Sequence, residues 1–317
     1  MTATRTEEET ASGADAAVLA TGTATLRGSL QKQAIATVPD NMTVFAHLAR
    51  QTGYRSATRA LAEQHKAHRF IEIDLPSGLV EALRASVLDA MSKFGHSGWH
   101  RKDGATPTYG GFSLAYNPDH QDNLDPNSSS LGTPQNAGTK FYYNQRARNL
   151  PAKNSYFDTY SFRRRTPASQ HSDLGHFLDG LQRSLVRSRV GIIYGERVDP
   201  TDANYLATAG WHKDEPVYEN LRVNIPLQTD PNFVFEIGGE PPRHLEVGKA
   251  YSWDTHIAHR VYCRGATKLE RIHLVLGVAP WFDYSAEDDA WQPNEYFGQT
   301  HPFELLRTGR IHPQLHV

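Results

Sequence analysis

Apolar residues recur at two different periods along this chain, and the two periods divide it. Behind Pro76, the residues Leu79, Val80, Leu83, Val87, Leu88 and Met91 return every three or four positions, with Ser77 and Glu81 placed to begin a helix. Leu174, Phe177, Leu178, Leu181 and Leu185 repeat that pattern and predict a second helix over 173–187. Beyond it the period shortens. Residues 190–194, 222–227, 233–237, 250–253 and 271–278 are short runs rich in β-branched, aliphatic and aromatic side chains, cut by turn signals such as Gly238-Gly239 and Gly248. Several short strands at this spacing predict a mainly β fold with flanking helices, closed as a sandwich or barrel. No internal repeat and no sustained heptad pattern is present, which sets aside solenoids and coiled coils.

The flanks read differently. Residues 1–40 are mostly Ala, Thr, Gly, Ser and Glu with scarcely an aromatic side chain, a composition that cannot offset the entropy of ordering, so a disordered tail is expected there. Residues 104–138 are dominated by Gly, Pro, Asn, Asp and Ser and predict a long loop. Near the end, 303–307 is a short helix candidate, either closing over the barrel or making a subunit contact.

Composition narrows the partners. The 317 residues suit one large domain with extensions, and 33 Lys and Arg against 35 Asp and Glu give a net charge of -2. No global field draws such a chain to nucleic acid or to an anionic membrane, so neither is expected as a partner. A single cysteine, Cys263, excludes an internal disulfide and a multi-thiolate zinc site. No apolar run reaches the ~18–20 residues of a membrane span, and Glu7, Glu8 and Glu9 stand where a secretory signal needs basic residues. The expected location is cytoplasmic; the oligomeric state is not legible.

Candidate chemistry concentrates in the second half. In Trp211-His212-Lys213-Asp214, residues two apart on a strand point to one side and present an imidazole and a carboxylate together. His-x-Asp alone is weak in a chain with 16 His. It gains force from residues 248–259, which end in His259, and from Arg271-Ile272-His273-Leu274-Val275. Two imidazoles and one carboxylate can occupy one face of an octahedral Fe(II) and leave three positions open, two for a bidentate 2-oxo acid and one for O2. The far carboxylate of 2-oxoglutarate then needs a planar, permanently charged partner, which suits Arg271. Arg222 and Asn224 share a strand face that can point into a barrel beside the iron.

Competing assignments exist within the chain. His171-Ser172-Asp173 is a second His-x-Asp, but it precedes a helical segment, where Asp173 serves better as a first-turn acid. His256 competes with His259, since residues three apart on an extended strand cannot both face inward. His273 shares the face of Arg271 and reads either as a substrate or cofactor contact or as a buried structural histidine.

With His212-Lys213-Asp214, Arg222-Val223-Asn224-Ile225-Pro226-Leu227, the run from 248 to 259, and Arg271-Ile272-His273-Leu274-Val275 in this order, the chain resembles the aspartyl/asparaginyl β-hydroxylase-like branch of the Fe(II)/2-oxoglutarate dioxygenases. The resemblance covers roughly residues 185–283. It implies a double-stranded β-helix, that is, a cupin-like jelly roll, with iron on His212, Asp214 and His259 and cofactor contacts from Arg271, Arg222 and Asn224. It favours His259 over His256. Some relatives carry Gly in place of the ligand carboxylate, whereas this chain retains Asp214, and a filled position implies hydroxylation rather than halogenation. Asn224 stands where a His often assists 2-oxoglutarate, and the interval from His259 to Arg271 is slightly long. The organisation expected is a tail over 1–40, one catalytic domain over 41–284 with its jelly-roll core mainly in 185–283, and a C-terminal extension over 285–317.

The substrate is less legible. Between residues 140 and 189 ten Lys and Arg face three Asp, interleaved with Phe and Tyr. Arg forks and aromatic walls suit a carboxylate- or phosphate-bearing ligand, and Arg163, Arg165, Tyr142 and His273 are candidate substrate contacts; a solvated basic face is the plain alternative. The leading expectation is hydroxylation of an unactivated C–H bond in a small-molecule amino acid or its derivative, free, peptidyl or carrier-tethered, with Fe(II) as cofactor and 2-oxoglutarate and O2 as cosubstrates. Alternatives are the same chemistry on a phosphorylated nucleoside-like metabolite, or a non-oxygenase cupin-like binding protein or isomerase.

Overall fold

The computed structural model describes residues 32–39, 42–64, 69–98, 109–118, 158–197 and 207–316. Its centre is a seven-stranded antiparallel sheet in the order β2 (Phe70–Asp74), β11 (Lys249–Trp253), β9 (Leu221–Gln228), β13 (Arg271–Val278), β7 (Arg189–Ile193), β4 (Tyr109–Ser113) and β3 (Ser97–Gly98). Facing it is a three-stranded sheet in the order β10 (Phe233–Ile237), β12 (His259–Cys263) and β8 (Ala207–His212). From β7 to β13 the chain passes between the sheets: large for β7, small for β8, large for β9, small for β10 and for the bridge of Arg243 to Phe235, large for β11, small for β12, large for β13. That winding is the double-stranded β-helix, or jelly roll.

The sheet is wider than the periodic runs suggested. Residues 109–113 and 115–116, inside the stretch expected to be a loop, are strands β4 and β5 (Ala115–Tyr116). Gly110 and Gly111 read as turn signals, yet they serve close strand approach: a Cβ on Gly111 would lie 1.8 Å from the Val190 carbonyl oxygen, and its φ is +138°. Residues 104–108 and 119–138 of the expected loop, and Tyr142, lie outside the described residues.

Helices cover the outer face of the large sheet. Val80, Leu83, Val87 and Ala90 of α3 (Leu79–Phe94), Leu174, Phe177 and Leu178 of α4 (Ser172–Asp179), and Phe303, Leu305 and Leu306 of α5 (Pro302–Arg307) share one core with Val223, Ile225, Ile272, Leu274 and Leu276. Strand β9 is buried at all but its last position, as expected when one face meets helices and the other a second sheet. The helix expected over 173–187 stops at Asp179, where the Gly180 N–H tightens onto the Phe177 carbonyl at 3.0 Å, and Leu185 turns into a bridge with Val278. The C-terminal helix closes over the sheet as one expectation had it, with the His301 side chain accepting from the Phe303 N–H at 3.1 Å.

A second core gathers α1 (Val44–Thr52), α2 (Tyr54–Gln64), Tyr160, Trp281, Phe282 and Trp291. Here residues 32–39, the described part of the expected 1–40 tail, join the fold. The strand β1 (Gln33–Ala34) pairs with β15 (Ala290–Pro293), which also pairs with β14 (Phe282–Ser285), and Ile35 and Val38 pack against the aromatic cluster. Those two apolar side chains give this end of the segment something to bury. Two small ladders, β5 with β6 (Arg164–Arg165) and β16 (Thr308–His312) with β17 (Leu315–His316), complete the description.

Candidate metal centre

The inner face of the large sheet departs from the rule that interiors are apolar. Register places Arg222, Asn224 and Pro226 of β9 on the same rows as Gly277, Val275 and His273 of β13, which in turn align with Arg189 and Gly191 of β7 and with Ser113 and Gly111 of β4. Arg271 lies at the far end of β13 beside Ile193 and Tyr109. Apolar plugs close both ends of the space between the sheets, Phe235, Tyr251 and Trp253 at one and Ile193, Phe233 and Cys263 at the other. Polar side chains occupy the middle.

The small sheet supplies the other wall. His212 and His259 are Cα partners on neighbouring strands, and their rings sit 4.4 Å apart between centroids. Asp214 follows β8 directly and is fixed by its backbone N–H, which donates to the Thr255 carbonyl at 2.9 Å. Its Oδ2 is 3.7 Å from His212 Nε2 and 3.5 Å from His259 Nε2. One ligand atom from each of the three lies within 4.8 Å of the others. Adjacent ligands on an octahedral metal, at about 2.1 Å each, are about 3 Å apart, so these side chains need to contract by less than one bond length.

The donor set fits a divalent metal. His259 Nδ1 donates to the Ile257 carbonyl at 2.9 Å, which fixes the ring with Nε2 facing Asp214. Trp253 packs edge-on against that ring at 5.6 Å. His259 is 4% exposed and His212 38%, so the open side of the triad lies at His212. Burial pushes the Asp214 carboxyl up, but Arg222, the His259 contact and His212 together hold it well below the usual carboxylate range, which keeps it an anionic ligand.

Arg222 explains much of that. Its guanidinium is buried and forks between Asp214 and Glu215, the second at 2.6 Å. Burial raises Glu215, Arg222 and then Arg187 lower it, and the balance is about 2. Thr159 donates its hydroxyl to Glu215 at 3.0 Å. The structure therefore places Arg222 against the His212, Asp214 and His259 cluster. Asn224, one row away, is buried beside Tyr251 and Val275.

Arg271 is different. It is buried, it donates to His273 Nδ1 at 2.9 Å, and among the described residues it has no carboxylate partner. Burial lowers it to about 10, so it remains cationic at neutral pH. A buried guanidinium without an acid is costly unless an anion joins it. His273 is wholly buried, and burial followed by Arg271 pushes its pKa well down, so it is neutral; among the described residues its Nε2 has no partner.

The remaining sequence candidates fall elsewhere. His256 is exposed. His171 pairs with Asp89, and Asp173 lies in the first turn of α4. Arg163 is buried against Asp289 at 2.9 Å, and Arg165 pairs with Asp179; both are engaged away from the triad. Sequence reasoning missed Glu215, although it adjoins Asp214, because only the fold shows Arg222 reaching both. Tyr109 was missed because its strand was read as loop.

No family model matches the chain, and no curated protein matches it. Among solved structures it is similar to the non-heme alpha-ketoglutarate-dependent epimerase SnoN from nogalamycin biosynthesis, at 11% identity over 71% of this chain and 82% of that one, with a TM-score of 0.36. It is also similar to a prolyl hydroxylase from Trichoplax adhaerens, at 9% identity over 79% and 98%, TM-score 0.32. A Pseudomonas putida prolyl-4-hydroxylase aligns at 11% identity over 69% and 97%, TM-score 0.32. Likenesses this distant carry no chemistry across, and the functional reading rests on the side chains themselves.

Proposed function

We propose that the protein is a non-haem Fe(II)/2-oxoglutarate-dependent oxygenase, with His212, Asp214 and His259 holding the metal and Arg271 holding the far carboxylate of 2-oxoglutarate. The observation that carries this reading is the conjunction of a two-His, one-carboxylate cluster with a buried, acid-free guanidinium on the opposing sheet of one barrel. When bound, iron and 2-oxoglutarate would supply the O2-dependent oxidation of an unactivated C–H bond. The chain's own share is to keep Asp214 ionised through Arg222, to present His259 as the correct tautomer, and to exclude water from Arg271.

Within that class we place the chain nearest the aspartyl/asparaginyl β-hydroxylase-like branch, on the motif order set out above, and take hydroxylation of an amino acid or amino-acid derivative as the reaction. Asp214 fills the position that a halide would need, which supports hydroxylation. The test is anaerobic reconstitution with Fe(II) and 2-oxoglutarate followed by O2. The expected result is succinate formation that requires both, a product heavier by one oxygen (~16 Da) with a true substrate, and loss of both metal and turnover in His212→Ala. Full iron affinity and succinate formation in that variant would refute the assignment.

A further inference from the structure

Among the described residues Arg271 is not the only inward guanidinium outside any ion pair. Arg189 stands on the inner face beside Val275, and its Nε donates to the Tyr109 hydroxyl at 2.9 Å. Tyr109 reaches it from two rows away by leaning across Gly191, where a Cβ would meet the hydroxyl at 2.8 Å. Arg187 sits just before β7, with its guanidinium 5.6 Å from the Phe162 ring and its Nε buried without a partner. Both are partly exposed, and among the described residues neither has an ion-pair partner.

We propose that Arg187 and Arg189 form a second anion-binding position in the barrel, distinct from Arg271, and that the primary substrate carries a carboxylate or phosphate held there. The inference rests on the oxygenase reading for the identity of the occupant. Two arguments carry it. The first is separation: Arg271 and Val275, the partner of Arg189, are four positions apart on β13, about 13 Å between Cα atoms at strand rise, so the two guanidinia leave the sheet from well-separated rows. The row of Arg189 runs through Val275 to Asn224, next to the row that holds Arg222, which sets Arg189 toward the Asp214 end of the sheet, while Tyr109 lies between it and Arg271.

The second argument is charge balance. Four guanidinia (Arg187, Arg189, Arg222, Arg271) face two ionised carboxylates, Asp214 and Glu215, and Arg222 takes both of those. Fe(II) and dianionic 2-oxoglutarate cancel each other. Arg187 and Arg189 are left positive beside the metal in a partly desolvated space, where an anionic group is the complement that removes the penalty. A neutral substrate would leave it in place.

The test uses the anaerobic Fe(II)·2-oxoglutarate protein and two probes, inorganic phosphate and benzoate, with benzyl alcohol as the neutral control, followed by calorimetry. At least one anion is expected to bind one-to-one with 2-oxoglutarate in place, and benzyl alcohol is not. Arg187→Met/Arg189→Met should weaken the anion by about tenfold or more while 2-oxoglutarate affinity stays within about twofold. Should the double variant not fold, Arg189→Lys, which keeps the charge and loses the fork, should show a smaller loss in the same direction. The proposal is overturned if neither anion binds, if the anion displaces 2-oxoglutarate, or if the variants lose 2-oxoglutarate instead. Failure of the oxygenase reading looks different: Fe(II) and 2-oxoglutarate then do not bind at all, and anion binding that depends on Arg189 in the metal-free protein would still uphold the second position.

Discussion

Arg222 serves two carboxylates at once, and this decides how the triad is held. Because it contacts Asp214 rather than the metal, Arg222→Met is expected to lower Fe(II) affinity by about 10–100-fold, as loss of a hydrogen-bonding partner of a ligand typically does, in a competition titration with a chelating dye. Behind this pair lie two acids that burial drives the other way. Glu219 is raised to about 8 by burial and then by Glu215 and Asp158, and Asp158 is raised to about 7 by burial against the opposing N–H groups of Phe45 and Val44. Both folded-state values exceed the unfolded ones. Their contribution is fully present below the usual carboxyl range and is lost as pH rises through about 7 to about 8. The melting temperature of Glu219→Gln should therefore fall less than that of the parent between about pH 5 and about pH 8.5 in calorimetry. An equal fall in both would contradict the assignment.

Among the elements, β4 shows how glycine can mislead. Gly110-Gly111 carries the composition of a turn and the geometry of a strand pressed against β7, with no room for a Cβ at Gly111. Gly111→Ala is expected to cost about 1–3 kcal/mol or more through forced displacement of the Val190 backbone, seen as a lower denaturant midpoint at unchanged slope. The strands β9, β10, β11 and β13 were legible because their runs are apolar, short and bounded by turn residues. Strand β12 was missed, with only its first residue, His259, singled out, since Arg260, Val261 and Tyr262 are half-exposed and break the apolar run. The pairing of His259 with His212 spans a long interval of chain and left no local trace.

Across the whole molecule, the ends of the described chain belong to the cores rather than to appendages. Phe303, Leu305, Leu306, Ile311 and Leu315 are buried with the strands of the large sheet, and Ile35 and Val38 pack on the aromatic cluster with Trp291. Phe303→Ala should cost about 3–5 kcal/mol, the usual range for emptying a buried ring, measured by equilibrium denaturation. A loss under about 1 kcal/mol would mean that α5 packs only weakly on the sheet. Among the described residues no helix is long and apolar enough to cross a membrane.

The alternation of His212 and Asp214, the cationic Arg271 two residues before His273, and a mainly β sandwich or barrel could all be read from the chain, because each depends on spacing within one strand or on the rhythm of short strands; the jelly roll itself was implied only by the family resemblance. Convergence could not. Which histidine joins the pair, which acid Arg222 meets, and that Arg187, Arg189 and Arg271 form no ion pair among the described residues all depend on contacts between distant segments. Side-chain period is a local property of the backbone, whereas burial and charge balance belong to the folded space between two sheets.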